Sequence, residues 1–194
     1  MIMAQRRTGV NSVNRTALWA AAARAHETYR ADRLFLDPYA ERLVGAEGER
    51  LLPEGLQTGS EMTVFAIRTR FFDNFLQETA IRQEQQVVLL GAGLDTRAYR
   101  MAWPTGTVIY EVDQDAVLAY KQARLSDVML SVDRRPVAAD LMEDIEGPLL
   151  QAGFDHQTGT VWIAEGCLAY LPASHVRRLI EVVTELRSTK LVRR

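Results

Sequence analysis

Two glycines and one acidic residue, at a fixed spacing, are the chemistry-bearing feature of this sequence. The stretch QVVLLGAGLDTRAYR, from Gln86 to Arg100, runs from the apolar tetrad Val87, Val88, Leu89 and Leu90 into Gly91-Ala92-Gly93. Asp113 follows about 20 residues after Gly93, the interval at which a dinucleotide or nucleoside fold places an acid for a ribose diol. In an open parallel sheet, ligands sit outside the carboxyl ends of the strands, and the turn after the first strand is where backbone comes closest to them. Glycines there remove the side chains that would block that approach. The competing reading is a tight strand-to-helix turn followed by an aspartate that caps the next helix.

The residues around the turn discriminate between nucleosides. A dinucleotide fold wants a third glycine three positions after the second, with a pyrophosphate at the helix start. Thr96 stands there instead, and the charge of Asp95 just before it is poorly placed against a pyrophosphate. A ligand with a ribose and no phosphate fits better. S-adenosylmethionine is one, and a nicotinamide-dependent oxidoreductase is the disfavoured competitor.

The elements that must position these residues follow from periodicity. The four apolar residues 87–90 offer no face to water, which reads as a strand covered on both sides. Strands are expected at about 87–91, 107–112, 136–139 and 160–165, the first three short and apolar, with helices near 96–102, 114–125 and 143–152. That alternation predicts a parallel, doubly wound α/β sheet. A last helix over 173–187 places Val176, Leu179, Ile180, Val183 and Leu186 at helical spacing.

Residues 1–85 read as a helical N-terminal extension and residues 86–194 as the cofactor-binding core. TALWAAAARAHETYR favours helix by its alanines. Asp37-Pro38 marks a boundary before a short helix around YAERLVG, and Gly45 to Ser60 reads as a loop. From Glu61 onward, Val64, Phe65, Phe71, Phe72, Phe75 and Leu76 recur at spacings of three and four, the pattern of an amphipathic helix.

Bulk properties narrow the partners. A hydrophobic fraction of 47% with 25% charged residues suits one soluble domain with a substantial core. A net charge of −2 gives no general attraction to nucleic acid or an anionic membrane, so a small-molecule partner is expected. No stretch approaches the roughly 18 apolar residues of a spanning helix. The single cysteine, Cys167, excludes an intrachain disulfide framework and fits a reducing, cytoplasmic location.

Five ordered segments, RTRFFDNF, VVLLGAGLDTRAYR, YEVDQ, AADL and AEGCLAYLP, together resemble the S-adenosylmethionine-dependent methyltransferases of the leucine carboxyl methyltransferase-like family, in its actinobacterial branch. The resemblance runs from about Thr16 to Leu186. It implies a class I methyltransferase, Rossmann-like fold. It implies too that Arg68 pairs with the methionine carboxylate of the cofactor, with Arg24 as a second basic residue turned toward it. Gly91 then lies at the cofactor and Asp113 binds the ribose. Asp140 and Leu141 flank the adenine, and Glu165 lies by the methionine ammonium.

Each role has a plainer counterpart in the residues themselves. Arg68 could form an ion pair with Glu61 or Asp73, Arg24 could lie on a solvated helix face, and Asp140 could cap a helix. Glu111 could assist Asp113 or merely neighbour it. Cys167 reads as a small packed residue, not a nucleophile.

The chemistry expected is direct methyl transfer to a carboxylate or hydroxyl oxygen, with alignment as the main contribution of the protein. Neither a metal nor a general base is assigned, since His26, His156 and His175 fall outside the motifs. Family members continue for several dozen residues past the 173–187 helix, so the resemblance implies a core lacking its last strands. A catalytically silent cofactor-binding module is therefore the second functional expectation.

Overall fold

The computed structural model describes residues 15–49, 60–81 and 85–188. They fall into two compact units. The first draws on described residues within Met1–Phe75, Gly93–Met101 and Ala116–Met129, and the second on those within Leu76–Ala92, Ala102–Asp115 and Leu130–Arg194.

The first unit is helical. It contains α1 (Arg15–Thr28), α2 (Ala40–Glu49), most of α3 (Ser60–Ile81), the single-turn α4 (Arg97–Arg100) and most of α5 (Asp115–Arg124). Its core joins Leu18 and Ala21 of α1, Leu43 and Val44 of α2, Leu94, and Tyr120 and Leu125. The buried Tyr120 hydroxyl donates to the Leu43 carbonyl at 2.7 Å, which satisfies a polar group that would otherwise be costly inside. α2 extends to Glu49 across a break at Gly45, whose φ of 58° interrupts the helix where the sequence suggested the start of a loop. Residues 50–59 of that expected loop lie outside the described residues.

α3 forms where its spacing predicts, but it turns a different face inward. Met62, Ala66, Thr69, Asp73 and Leu76 are buried, whereas Val64, Ile67, Phe71 and Phe75 are exposed. Charge decides this orientation: the Asp73 carboxylate accepts hydrogen bonds from Arg97 and from both terminal nitrogens of Arg100. A buried carboxylate needs such partners more than a phenylalanine needs burial.

The second unit holds a parallel four-stranded sheet of β1 (Gln86–Leu90), β2 (Val108–Asp113), β3 (Asp133–Ala138) and β4 (Thr160–Ile163), in the order β3-β2-β1-β4. Val88 pairs with Tyr110 on one side and Trp162 on the other. All five residues of β1 are buried, as expected of a central parallel strand. On one face, Val88, Leu90, Tyr110, Val112 and Val137 pack with Leu149 of α6 (Glu146–Gln151), Phe154, and Leu179 and Leu186 of α7 (Ala173–Ser188).

Two details correct the sequence expectation. β3 begins three residues early with Asp133, Arg134 and Arg135 and includes Pro136, so it is polar where an apolar strand was expected. It can be, because β3 is an edge strand, where a proline without an N–H breaks no shared ladder. In α7, Leu179 and Leu186 are buried but Ile180 is exposed. The fold is α/β and Rossmann-like.

Candidate functional site

Along the chain the strands step outward from β1 to β2 to β3, then cross back so that β4 lies on the other side of β1. This reversal falls between β1 and β4, and it is at the carboxyl ends of strands flanking such a switch point that open α/β sheets bind ligands. Gly91 stands there with a φ of 62°, in the left-handed region. A Cβ added to it would lie 2.7 Å from the Cys167 Cβ, 3.3 Å from its Sγ and 3.5 Å from Leu141 Cδ1. The residue is glycine because the segment after β4 closes onto the turn after β1. Ligand approach, the reason available from sequence, is joined by a packing reason inside the protein.

The acidic residues end the neighbouring strands. Asp113 is the last residue of β2 and half-buried; its Oδ1 accepts from the Gln114 N–H at 2.7 Å and its carbonyl from the Ala139 N–H at 3.0 Å. Glu165 follows β4 by two residues and is also half-buried. Burial raises the pKa of the Cys167 thiol, and the Asp113 and Glu165 carboxylates raise it further. Both charges therefore reach the same sulfur.

Asp140 and Leu141 follow β3. Asp140 Oδ1 accepts from the Met142 N–H at 2.9 Å, forming a local turn. The helix-cap reading of Asp140 does not hold: Asp144 supplies the carboxylate for the first N–H groups of α6, those of Glu146 and Gly147. Glu111 is fully buried, and its Oε2 accepts from Arg134 Nε at 2.9 Å. It is a neighbour of Asp113 with a structural pairing of its own.

Within the second unit, then, Gly91 packs against Cys167 and Leu141, Asp140 adjoins Leu141, and the charges of Asp113 and Glu165 act on the Cys167 thiol. Arg24 and Arg68 belong to the helical unit. Arg68, half-buried on α3, lies with its guanidinium carbon 4.6 Å from the centre of the Phe65 ring. Arg24 is buried, not on a solvated face; its Nε donates to Asp37 at 2.8 Å and its Nη2 to the Leu94 carbonyl at 2.6 Å.

Around Arg24 lies a buried ionic cluster that the spacing arguments missed. Asp37 also accepts from Thr96 Oγ1 at 2.6 Å, and its other oxygen accepts from the N–H groups of Tyr39 and Ala40 at the start of α2. Arg97 bridges Asp73 and Asp95, and Lys121 Nζ donates to the Asp95 carbonyl at 3.0 Å. Burial raises the Asp95 pKa, but Arg97, then Arg24 and Lys121, outweigh it and hold the carboxyl at about 2. The Asp95 Oδ1 accepts the Arg97 N–H at 2.7 Å and so occupies the start of α4. The one signal in the sequence was the density of charge in LDTRAYR.

Among the described residues, no group of histidine, cysteine and carboxylate side chains is arranged to hold a metal ion. No helix among them is long and apolar enough to cross a membrane.

A parallel sheet with a strand-order reversal, a glycine turn and acids at successive strand ends defines an α/β protein of the Rossmann-like class. Comparison with known proteins is more specific. The family model described as leucine carboxyl methyltransferase matches residues 17–184, and the chain belongs to that family. It is 46% identical over 177 residues to a protein of Mycobacteroides abscessus whose name assigns it to the S-adenosyl-L-methionine-dependent methyltransferases. That match covers 84% of this chain and 58% of the relative. A similarly named protein of Mycolicibacterium smegmatis is 43% identical over 190 residues, covering 91% and 62% respectively. The chain thus spans about three fifths of the length of these curated relatives.

Proposed function

We propose that this chain carries the cofactor half of an S-adenosyl-L-methionine-dependent methyltransferase acting on an oxygen of a small acceptor, in the cytoplasm. The observation that carries the reading is the packing of Gly91 against Cys167 and Leu141 at the carboxyl edge of the sheet, with Asp113 ending β2 and Glu165 two residues past β4. Such a pair of acceptors fits a ligand that brings hydroxyls and positive charge. It fits a pyrophosphate poorly, and the start of α4 is already filled by the Asp95 carboxylate. This argues against a nicotinamide dinucleotide.

When bound, S-adenosyl-L-methionine supplies a methyl group on a positively charged sulfur, reactive without Lewis-acid help. In this reading Asp113 accepts the ribose hydroxyls, Glu165 the ammonium, and Asp140 with Leu141 the adenine. Arg68 takes the methionine carboxylate, as the family resemblance implies, with Arg24 as the second cation. Holding one ligand at several points fixes the direction in which its methyl faces; alignment of this kind contributes about 7–11 kcal/mol. A carboxylate acceptor is ionised at neutral pH and requires no base.

Calorimetric titration with S-adenosyl-L-methionine and S-adenosylhomocysteine tests the reading. Saturable binding weakened by Asp113→Ala and by Arg68→Ala is expected; no binding by the folded chain sinks it. A silent cofactor-binding module is the second reading, marked by binding without transfer to any carboxylate or hydroxyl acceptor.

A further inference from the structure

We infer that Lys121 is a positioning residue for the cofactor turn, acting together with Arg24 on two consecutive backbone carbonyls. The inference rests on the cofactor reading above. Gly91 and Gly93, with φ of 62° and 48°, make the first half of the turn conformationally permissive. Its second half is the opposite. Leu94 and Thr96 are 2% and 1% exposed, and the carbonyls of Leu94 and Asp95 accept hydrogen bonds from Arg24 Nη2 and Lys121 Nζ.

Lys121 is fully buried on α5, an expensive place for an ammonium unless its donors are used. Here it meets both the Asp95 carbonyl and the field of the Asp95 carboxylate. Peptide groups are planar and trans, so fixing the carbonyls of Leu94 and Asp95 also fixes the N–H groups of Asp95 and Thr96, turned away from the two cations. Thr96 is held too, through its hydroxyl on the Asp37 oxygen that Arg24 also binds. The segment that begins three residues after Gly91 and one after Gly93 is thereby set before any ligand arrives, which is where preorganisation raises affinity.

The test is the affinity for S-adenosyl-L-methionine, measured calorimetrically on the full chain with four variants. Lys121→Met is expected to raise Kd about tenfold, and Lys121→Arg to recover most of the loss. Phe154→Leu, which loosens the core beside Asp155, bonded to Gln86 at the opposite end of β1 from the turn, is expected to lower stability and leave Kd as in wild type. If Lys121→Met does not fold, Lys121→Gln, which keeps a donor but no charge, is expected to raise Kd by a smaller factor. A Kd that tracks stability across all variants, or that is unchanged in Lys121→Met or Lys121→Gln, overturns the inference. Failure of the cofactor reading looks different: wild type does not bind, or Asp113→Ala binds as well as wild type, and both proposals fall together.

Discussion

Gly91 and Cys167 lie against each other across the strand-order reversal, so closely that a Cβ on the glycine would stand 2.7 Å from the cysteine Cβ. The contact ties the turn after β1 to the segment after β4, and the thiol completes it by donating to the Leu90 carbonyl at 3.3 Å. The cysteine is a packing partner of the glycine.

Gly91→Ala is therefore expected to be costly twice, through the left-handed backbone and through the collision. Strain at such a φ costs about 1–3 kcal/mol, and overpacking adds a similar amount. Cys167→Gly removes only the collision. Urea unfolding of the two single variants and the double variant should give a coupling of about 1 kcal/mol or more in favour of the double. Strict additivity would show that the two residues do not meet.

The Cys167 thiol is expected to alkylate slowly at pH 7–8, because burial first, and then Asp113 and Glu165, raise its pKa. Thiolate is the reactive form. Asp113→Asn and Glu165→Gln should each accelerate labelling by a maleimide and shift its rate profile to lower pH. Rates unchanged in both variants would separate the carboxylates from the sulfur.

Asp95 makes stability depend on acid pH. Its folded pKa of about 2 lies below the ordinary 3.8, so the unfolded chain takes up its proton first. The stabilisation is fully present above about pH 4 and is lost as pH falls toward 2, amounting to roughly 2 kcal/mol. Unfolding of wild type between pH 7 and pH 2.5 should show this slope, and Asp95→Asn should flatten it while lowering stability at pH 7.

The Glu111 and Arg134 pair gives a large expected single loss. Arg134→Met strands a carboxylate that is 0% exposed, a change that costs about 3–5 kcal/mol. Glu111→Leu with Arg134→Met should restore most of it. Thermal unfolding of the three variants checks the sign, and a double variant no better than Arg134→Met would contradict it.

What the sequence determined by itself was the order of elements and the identity of the strand ends. A run such as Val87 to Leu90 has one stable environment, the interior of a parallel sheet, and the acids at 113, 140 and 165 then fall at carboxyl ends by chain order alone. Local periodicity carries that information because burial and hydrogen bonding act residue by residue. It could not say which face of α3 turns inward, since that depends on Arg97 and Arg100, more than 20 residues away along the chain. Nor could it give Gly91 its packing partner, find Lys121 beneath the turn, or show that Asp144, not Asp140, accepts the first N–H groups of α6. Each of these is a pairing of groups whose energy exists only once the chain has brought them within a few ångströms of one another.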